Sequence, residues 1–215
     1  MENKEKKLCR WFCLSGVLSM IFYVLHDIVG AANYPGYNWM SQAVSDLTAT
    51  DAPSFAIAKG FSSAHGVFSV VCGLFVLVLV QNRHKLTKLG VALFTTKSVI
   101  SALGYSLFPL SSAGYDGSVQ SFIHSYIITS VVVMLSIVSL LLIAIGSFKD
   151  KRKALGILAI AALALMFIGA VGSGAAPKEY FGIFERFSTY SDVTFTAILG
   201  LFHFAENKKE ANAEV

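Results

Sequence analysis

Apolar residues in this chain come in long blocks, not in the alternating or scattered pattern of a soluble fold. Six predominantly apolar stretches cover residues 8–32, 60–80, 89–110, 119–148, 154–176 and 181–204. Each is long enough for a bilayer-crossing helix, which needs roughly 20 apolar residues. The pattern predicts an all-α integral membrane protein, with one six-helix bundle spanning residues 1–215. The one long connection, residues 33–59, opens with Tyr34-Pro35-Gly36-Tyr37, a turn signal. After it, Trp39, Met40, Ala43, Val44 and Leu47 fall at helical spacing, with Ser41, Gln42, Ser45 and Asp46 opposite them. That spacing predicts a short amphipathic helix lying at the outer interface or capping the bundle.

The connections alternate in charge, and this sets an orientation. All seventeen Lys and Arg except Lys59, Lys97, Lys178 and Arg186 lie in the two tails or in the second and fourth connections. Basic loops stay on the cytoplasmic side, so both termini are expected there and the 33–59 loop outside. An odd number of spans would put one basic tail on the wrong side. The first block follows the charged residues 1–7 but is long and lacks a convincing cleavage site, so it reads as a retained helix rather than a signal peptide.

Composition agrees with the pattern. Hydrophobic residues make up 55% and charged residues 14%, with mean hydropathy +0.65. A soluble domain carries about a quarter charged residues. Net charge +4 could suggest nucleic acid, but the basic residues sit in short clusters between apolar blocks rather than along one face, which excludes that partner. Cys9, Cys13 and Cys72 lie in or beside apolar blocks with no zinc-ligand spacing and read as packing thiols.

Ionisable residues inside the spans carry the candidate chemistry, because a charge in hydrocarbon costs several kcal/mol unless it faces the bundle interior or a wet cavity. At about 1.5 Å of rise per residue, His26, Asp27, His65, His124, Glu185 and Arg186 share one outer layer. In the last helix Glu185, Ser188, Thr189, Asp192 and Thr196 form one polar face. Ser15, Ser19, Tyr23 and His26 or Asp27 form a stripe in the first, and Lys97, Ser101 and Gly104 in the third. Lys97 and Asp192 lie at similar mid-membrane depth, so an ion pair between them is expected. Small residues such as Gly66, Ser69 and Gly73, and Gly169 and Gly172, read instead as helix-packing positions.

Three stretches together resemble a known family. Tyr34-Pro35-Gly36-Tyr37 with Ser45-Asp46-Leu47, Phe108-Pro109 followed by a Gly-containing loop and His124, and Gly182 through Glu185-Arg186 are similar to signatures of the bacterial membrane family called domain of unknown function 998. The resemblance implies six helices and a multi-pass place in the bacterial plasma membrane, and no established activity. The family commonly has an acidic stretch after Phe-Pro. Here Leu110-Ser111-Ser112-Ala113-Gly114 stands in its place, with Asp116 as a candidate substitute.

The expected working surface is an outward-facing polar pocket that binds or transports a small polar solute or a lipid headgroup. Its candidate ligand-binding residues are His124, Glu185, Arg186, Ser45, Asp46, His65, Asp192 and Lys97. Arg186 suits a phosphate or carboxylate, and Lys97 with Asp192 would form the floor. The alternative is an intramembrane metal-dependent hydrolase of a lipid-like substrate, with His26, His65, His124 and Asp27 as a zinc site. No HExxH or GxSxG motif supports it, and no cofactor is otherwise expected. The partners expected are the lipid bilayer and the solute or lipid. The sequence sets no oligomeric state.

Overall fold

The computed structural model describes residues 3–213 of the chain, with side chains from residue 4 to residue 206. Every regular element among them is helical. The helices are α1 (Asn3–Cys13), α2 (Ser15–Ala32), α3 (Phe55–Leu79), α4 (Lys85–Leu107), the single turn α5 (Val119–Phe122), α6 (Thr129–Lys149), α7 (Lys153–Ala175) and α8 (Phe181–Ala213). A π-helical stretch, Ile123–Ile128, joins α5 to α6. Five helices are long and apolar enough to cross a membrane: Lys4–Ala32, Phe55–Leu79, Lys85–Leu107, Val119–Lys149 and Lys153–Ala175. They take up the first five apolar blocks, and α8 takes up the sixth.

The long helices pack in chain order. α2 lies on α3, α3 on α4, α4 on α6, α6 on α7, α7 on α8, and α8 returns to α2, closing a ring. Antiparallel neighbours place the 33–54, 108–118 and 176–180 connections at one end, called here the loop end. The tails and the turns at 80–84 and 150–152 occupy the other, the terminal end. There Asp150 ties the two turns together, accepting from His84 N (2.9 Å) and Thr87 Oγ1 (2.6 Å). Arg152 binds His203 Nε2 (3.2 Å) and Glu206, and Glu206 also meets Arg83 (3.5 Å).

The main apolar core gathers Cys13, Cys72, Val76, Phe94, Leu140, Phe195 and Leu199 in the middle and terminal part of the ring. Backbones approach closely there. A Cβ on Gly16 would sit 2.6 Å from the Thr196 carbonyl and 2.9 Å from Cys72 Sγ, and one on Gly200 would strike the Cys13 carbonyl. Contacts of this kind hold helices together where lipid removes the hydrophobic drive between them. Large apolar side chains on the outside, such as Leu103, Met134, Ile157 and Val171, stay exposed.

The loop departs from its expected form. In place of an amphipathic helix across 39–47 there are turns and then one 3-10 helix, Val44–Thr48. The competing hydrogen bonds explain it. Carbonyls that a helix would use internally are taken from outside: those of Trp39 and Gln42 by Arg186, and that of Ala43 by Tyr37 Oη. The Ala43 N–H donates to Asp46 Oδ2 (3.2 Å). Val44 and Leu47 still reach the buried side and pack with Ala58 against Tyr23, Tyr34 and Tyr37.

Candidate functional site

The charges deepest in the ring come from α4 and α8. Lys97 Nζ donates to both oxygens of Asp192, at 2.7 and 2.6 Å, and Ser136 Oγ approaches at 3.5 Å. The ammonium also lies 4.1 Å from the centre of the Phe94 ring, which packs edge-on against Phe195. The expected pair is therefore formed. It is asymmetric: the Lys97 side chain is 2% exposed and the Asp192 side chain 22%. The lysine is sealed, while its carboxylate partner keeps accessible surface. This pair is the floor of the site.

The walls are aromatic and histidine side chains on α2, α3 and α4. Ser19 and His65 interlock. Ser19 Oγ donates to the His65 carbonyl (3.0 Å), and His65 Nδ1 lies 2.9 Å from Ser19 Oγ and 3.1 Å from the Ser19 carbonyl. With the hydroxyl proton so used, Nδ1 is the donor and Nε2 carries the lone pair. Tyr23 stands edge-on to His26, His65 and Tyr190. Tyr105 shares a hydrogen bond with Thr129 (3.1 Å) and tilts over His124. Tyr23, His65, Tyr105, Glu185 and Asp192 are all half-buried. They also lie within electrostatic reach of one another: Glu185 of Tyr23 and Tyr105, Asp192 of Tyr105 and His65. They share one interior region. Glu185 stands two turns above Asp192 on the same face, about 10 Å up the helix.

The roof is the 33–54 loop, which three acidic groups and one arginine fasten. Glu185 Oε2 accepts from Val44 N (3.3 Å). Asp46 bridges two loops, taking Ala43 N on one oxygen and Gly114 N (2.8 Å) on the other. Burial pushes its carboxyl up, against the pull of those two amides. Thr50 adds a second link between the loops through Leu110 O and Ser111 O, both 2.8 Å. Arg186 forms a bidentate pair with Asp27, Nε to Oδ2 at 3.0 Å and Nη2 to Oδ1 at 2.7 Å. Nη1 meets the carbonyls of Trp39, Gln42 and Gly182, and Nη2 also reaches Tyr37 Oη (2.9 Å). A guanidinium has five N–H donors, so this one is saturated by protein. Burial pushes the Tyr37 phenol up, against the pull of Arg186. It stays neutral, accepting from Arg186 and donating to Ala43 O (2.7 Å).

The expected site residues thus take different parts. Asp192, Glu185 and His65 face the shared interior, and Lys97 lies sealed behind Asp192. Asp46 and Arg186 hold the roof in place. Ser45 lies in the 3-10 turn, where its carbonyl accepts from Thr48 Oγ1 (3.1 Å). His124 is spent on a loop: its Nδ1 binds the Phe108 carbonyl at 2.8 Å. The π-helical stretch supports it, with Thr129 Oγ1 capping the His124 carbonyl (2.8 Å), the kind of bulge that recurs at functional sites. His26 is 4% exposed, and among the described residues neither ring nitrogen has a hydrogen-bond partner. The proposed zinc constellation is not brought together: among the described residues no group of three His, Cys, Asp or Glu side chains could hold a metal. His26 and Asp27 lie on α2, His65 on α3 and His124 in the π-helical stretch, and although Tyr23 stands between His26 and His65 the four do not converge on one point. Asp116 is exposed and caps its own turn through Ser118 N (3.0 Å). Hydrogen bonds from Ser121 and Ser118 hold its carboxyl below the usual range.

Sequence reasoning passed over Tyr105 and Tyr190. Tyr190 donates to Asp27 Oδ2 at 2.9 Å, completing the Arg186 clasp. It lies one turn below Arg186, so helical spacing was enough to find it. Tyr105 lies one residue past Gly104 in the polar stripe of α4.

The family model described as "Protein of unknown function (DUF998)" matches residues 17–201 of the chain. No curated protein and no solved structure matches it.

Proposed function

The chain belongs to the DUF998 family of proteins of unknown function, and from that premise we propose that it is a multi-pass membrane protein with a roofed polar chamber that binds or transports a small polar solute or headgroup. In this reading α8 is the sixth span, and both termini lie in the cytoplasm. The 33–54 loop then sits at the outer face of the plasma membrane, where its opening admits the ligand.

The observation that carries the reading is the accessible surface that Asp192 keeps beside the sealed Lys97. A pair formed only to glue helices would be closed on both sides. Above it the chamber is rich in acceptors. Glu185 accepts a single hydrogen bond from the described residues, His65 offers the Nε2 lone pair, and the Lys97–Asp192 pair is neutral as a unit. These acceptors favour a solute or headgroup bearing hydrogen-bond donors, an ammonium or a polyol, over an anion.

The test places Thr189→Cys on the chamber face of α8. Cys9, Cys13 and Cys72 are all buried in the terminal half, so the unaltered protein serves as the blank. Membrane-impermeant thiosulfonates of either charge are applied from outside intact cells. The cationic reagent is expected to label Thr189→Cys faster than the anionic one, and Glu185→Gln in the same chain is expected to narrow the difference. No labelling, or equal rates for the two reagents, overturns the reading. Tags on the two ends, both expected inside, test the orientation.

A further inference from the structure

A second feature lies on the opposite side of α8 from the chamber. Between α7 and α8 the surface opens into a groove of about 520 Å³. Its origin is in the sequence. Nearer the loop end, Gly169 and Gly172 bring α7 onto Ser188 and Phe184 so closely that a Cβ at either position would overlap them. Farther from the loop end the facing residues include Ala161, Ala162, Ser191 and Thr194, too small to fill the space between Leu165 and Ile198. From Ile183 to Ile198 the groove follows α8 for about 22 Å. Its exposed lining is almost wholly apolar, with the small Ser191 and Thr194 midway, and Trp39, Arg186 and Tyr190 line the end nearer the loops. An apolar channel with one polar end complements an amphiphile.

The polar end adjoins the chamber. Tyr190 lines the groove while its hydroxyl bonds Asp27 on α2. Its ring stands edge-on to Tyr23, with centroids 5.4 Å apart, and Tyr23 in turn stands edge-on to His65 at 5.0 Å. Two aromatic rings and one clasp therefore separate the groove from the chamber wall. Toward the terminal end the same α2–α8 seam is shut by backbone contact at Gly16 and Gly200. Among the described residues, the side-chain hydrogen bonds across this seam join Asp27 to Arg186 and Tyr190, where the groove reaches it.

We propose that the groove seats the acyl chain of a membrane lipid with a donor-bearing head, and that this head is the chamber's ligand, admitted sideways past Tyr190. The inference rests on the chamber reading and narrows its ligand to an amphiphile. The acyl chain stays in the groove throughout, and only the head crosses the seam. Rotation of Tyr190 away from Asp27 opens the way and leaves the Arg186–Asp27 pair to hold the roof.

The experiment uses the full chain in lipid nanodiscs containing phosphatidylethanolamine with a photoactivatable group in the acyl chain or, separately, on the head. The acyl probe is expected to label the groove peptides around Ala161–Leu165 and Thr194–Ile198 several-fold more than the exposed face of α6 at Met134, Val138 and Leu141. Ala161→Phe, or Thr194→Phe from the other wall, fills the groove and is expected to reduce that labelling to the α6 level. Two variants on separate helices guard against misfolding of either one. The head probe is expected to mark Tyr23 and His65, and to do so more strongly in Tyr190→Phe, which loses the hydroxyl bond to Asp27. Uniform acyl labelling, or labelling that both filling variants leave unchanged, overturns the proposal. So does groove labelling without any head label in the chamber. If Thr189→Cys still reacts from outside in those cases, the chamber reading stands and the lipid inference alone falls.

Discussion

The seam between α2 and α8 is held by opposite means toward its two ends. Toward the terminal end the two helices meet backbone to backbone. Gly16 leaves 2.6 Å between a would-be Cβ and the Thr196 carbonyl, and the Cys13 and Cys72 side chains sit fully buried among Val76, Phe195 and Leu199. Toward the loop end the same two helices meet through side chains that hydrogen-bond, Asp27 with Arg186 and Tyr190, with the Ser19–His65 and Glu185–Val44 contacts beside them. Close contacts of the first kind cannot be traded for anything else. Hydrogen bonds can be passed to a solute or water that supplies the replacement partner, each contributing about 0.5–1.5 kcal/mol between neutral groups and about 1.5–3 kcal/mol where a charged group takes part. One end is a clamp and the other an adjustable fitting, and the Lys97–Asp192 pair lies at the boundary between them.

The largest expected effect is at that boundary. Removing one member of a buried ion pair costs about 3–5 kcal/mol, because the other charge is left uncompensated. The asymmetry of exposure makes the two single variants unequal. Asp192→Asn strands an ammonium that is 2% exposed, whereas Lys97→Met strands a carboxylate that keeps 22%. Asp192→Asn is therefore expected to lower thermal stability in detergent more than Lys97→Met does, and the double variant less than the sum of the two. Equal losses would mean that the carboxylate has no open side, and the contrast between the halves would lose its hinge.

Asp27→Asn comes next. It replaces a bidentate charged pair and the Tyr190 acceptor by one neutral amide. Hydrogen bonds to charged groups contribute about 1.5–3 kcal/mol. The loss should appear first as protease cleavage within residues 33–54, with the terminal half unaffected. Global unfolding without prior loop cleavage would show that the roof and the clamp form one cooperative unit.

What the sequence could disclose follows the same division. Periodicity and apolar run length locate helices whatever their partners, so the blocks and the depth match of Lys97 with Asp192 were readable. Asp27 and Arg186 were readable as neighbours in depth for the same reason. The saturation of Arg186 was not, because three of its acceptors are carbonyls of Trp39, Gln42 and Gly182, and a carbonyl has no sequence signature. The loop was misjudged for a related reason. Residues 39–47 have helical spacing, but Tyr37 and Arg186 claim the carbonyls a helix would need. Three histidines in one layer suggested a metal site because depth is visible in sequence and azimuth around the bundle is not.

Glycine substitutions probe the clamp. Gly16→Ala must push against the Thr196 carbonyl, which belongs to a helix backbone and cannot swing aside. Overpacking of this kind costs about 1–3 kcal/mol. Gly60→Ala, with nothing within 4 Å, should be neutral or slightly stabilising, since alanine is favoured over glycine in a helix by up to about 1 kcal/mol. If both are neutral in thermal unfolding, the terminal half is looser than its backbone contacts imply.

The smallest effect concerns Asp46, where the sign decides more than the size. Desolvation raises its carboxyl above the usual 3.8, although the Gly114 and Ala43 amides oppose the shift. A raised value means the folded protein holds the proton more tightly than the unfolded chain, so the linked stability is fully present below the ordinary value and is lost as pH rises through the raised one. Asp46→Asn removes that titration and keeps one acceptor for the two amides, a change on the order of one neutral hydrogen bond, about 0.5–1.5 kcal/mol. The unaltered protein should exceed Asp46→Asn in loop stability by the most at acid pH, and the gap should shrink as pH rises. Resistance to cleavage within residues 33–54, followed against pH in both proteins, measures it. A gap that widens with pH would mean that the two amides outweigh burial. Asp46 would then be a charged knot that strengthens towards neutrality, and the roof would be as firmly fixed as the clamp at the other end.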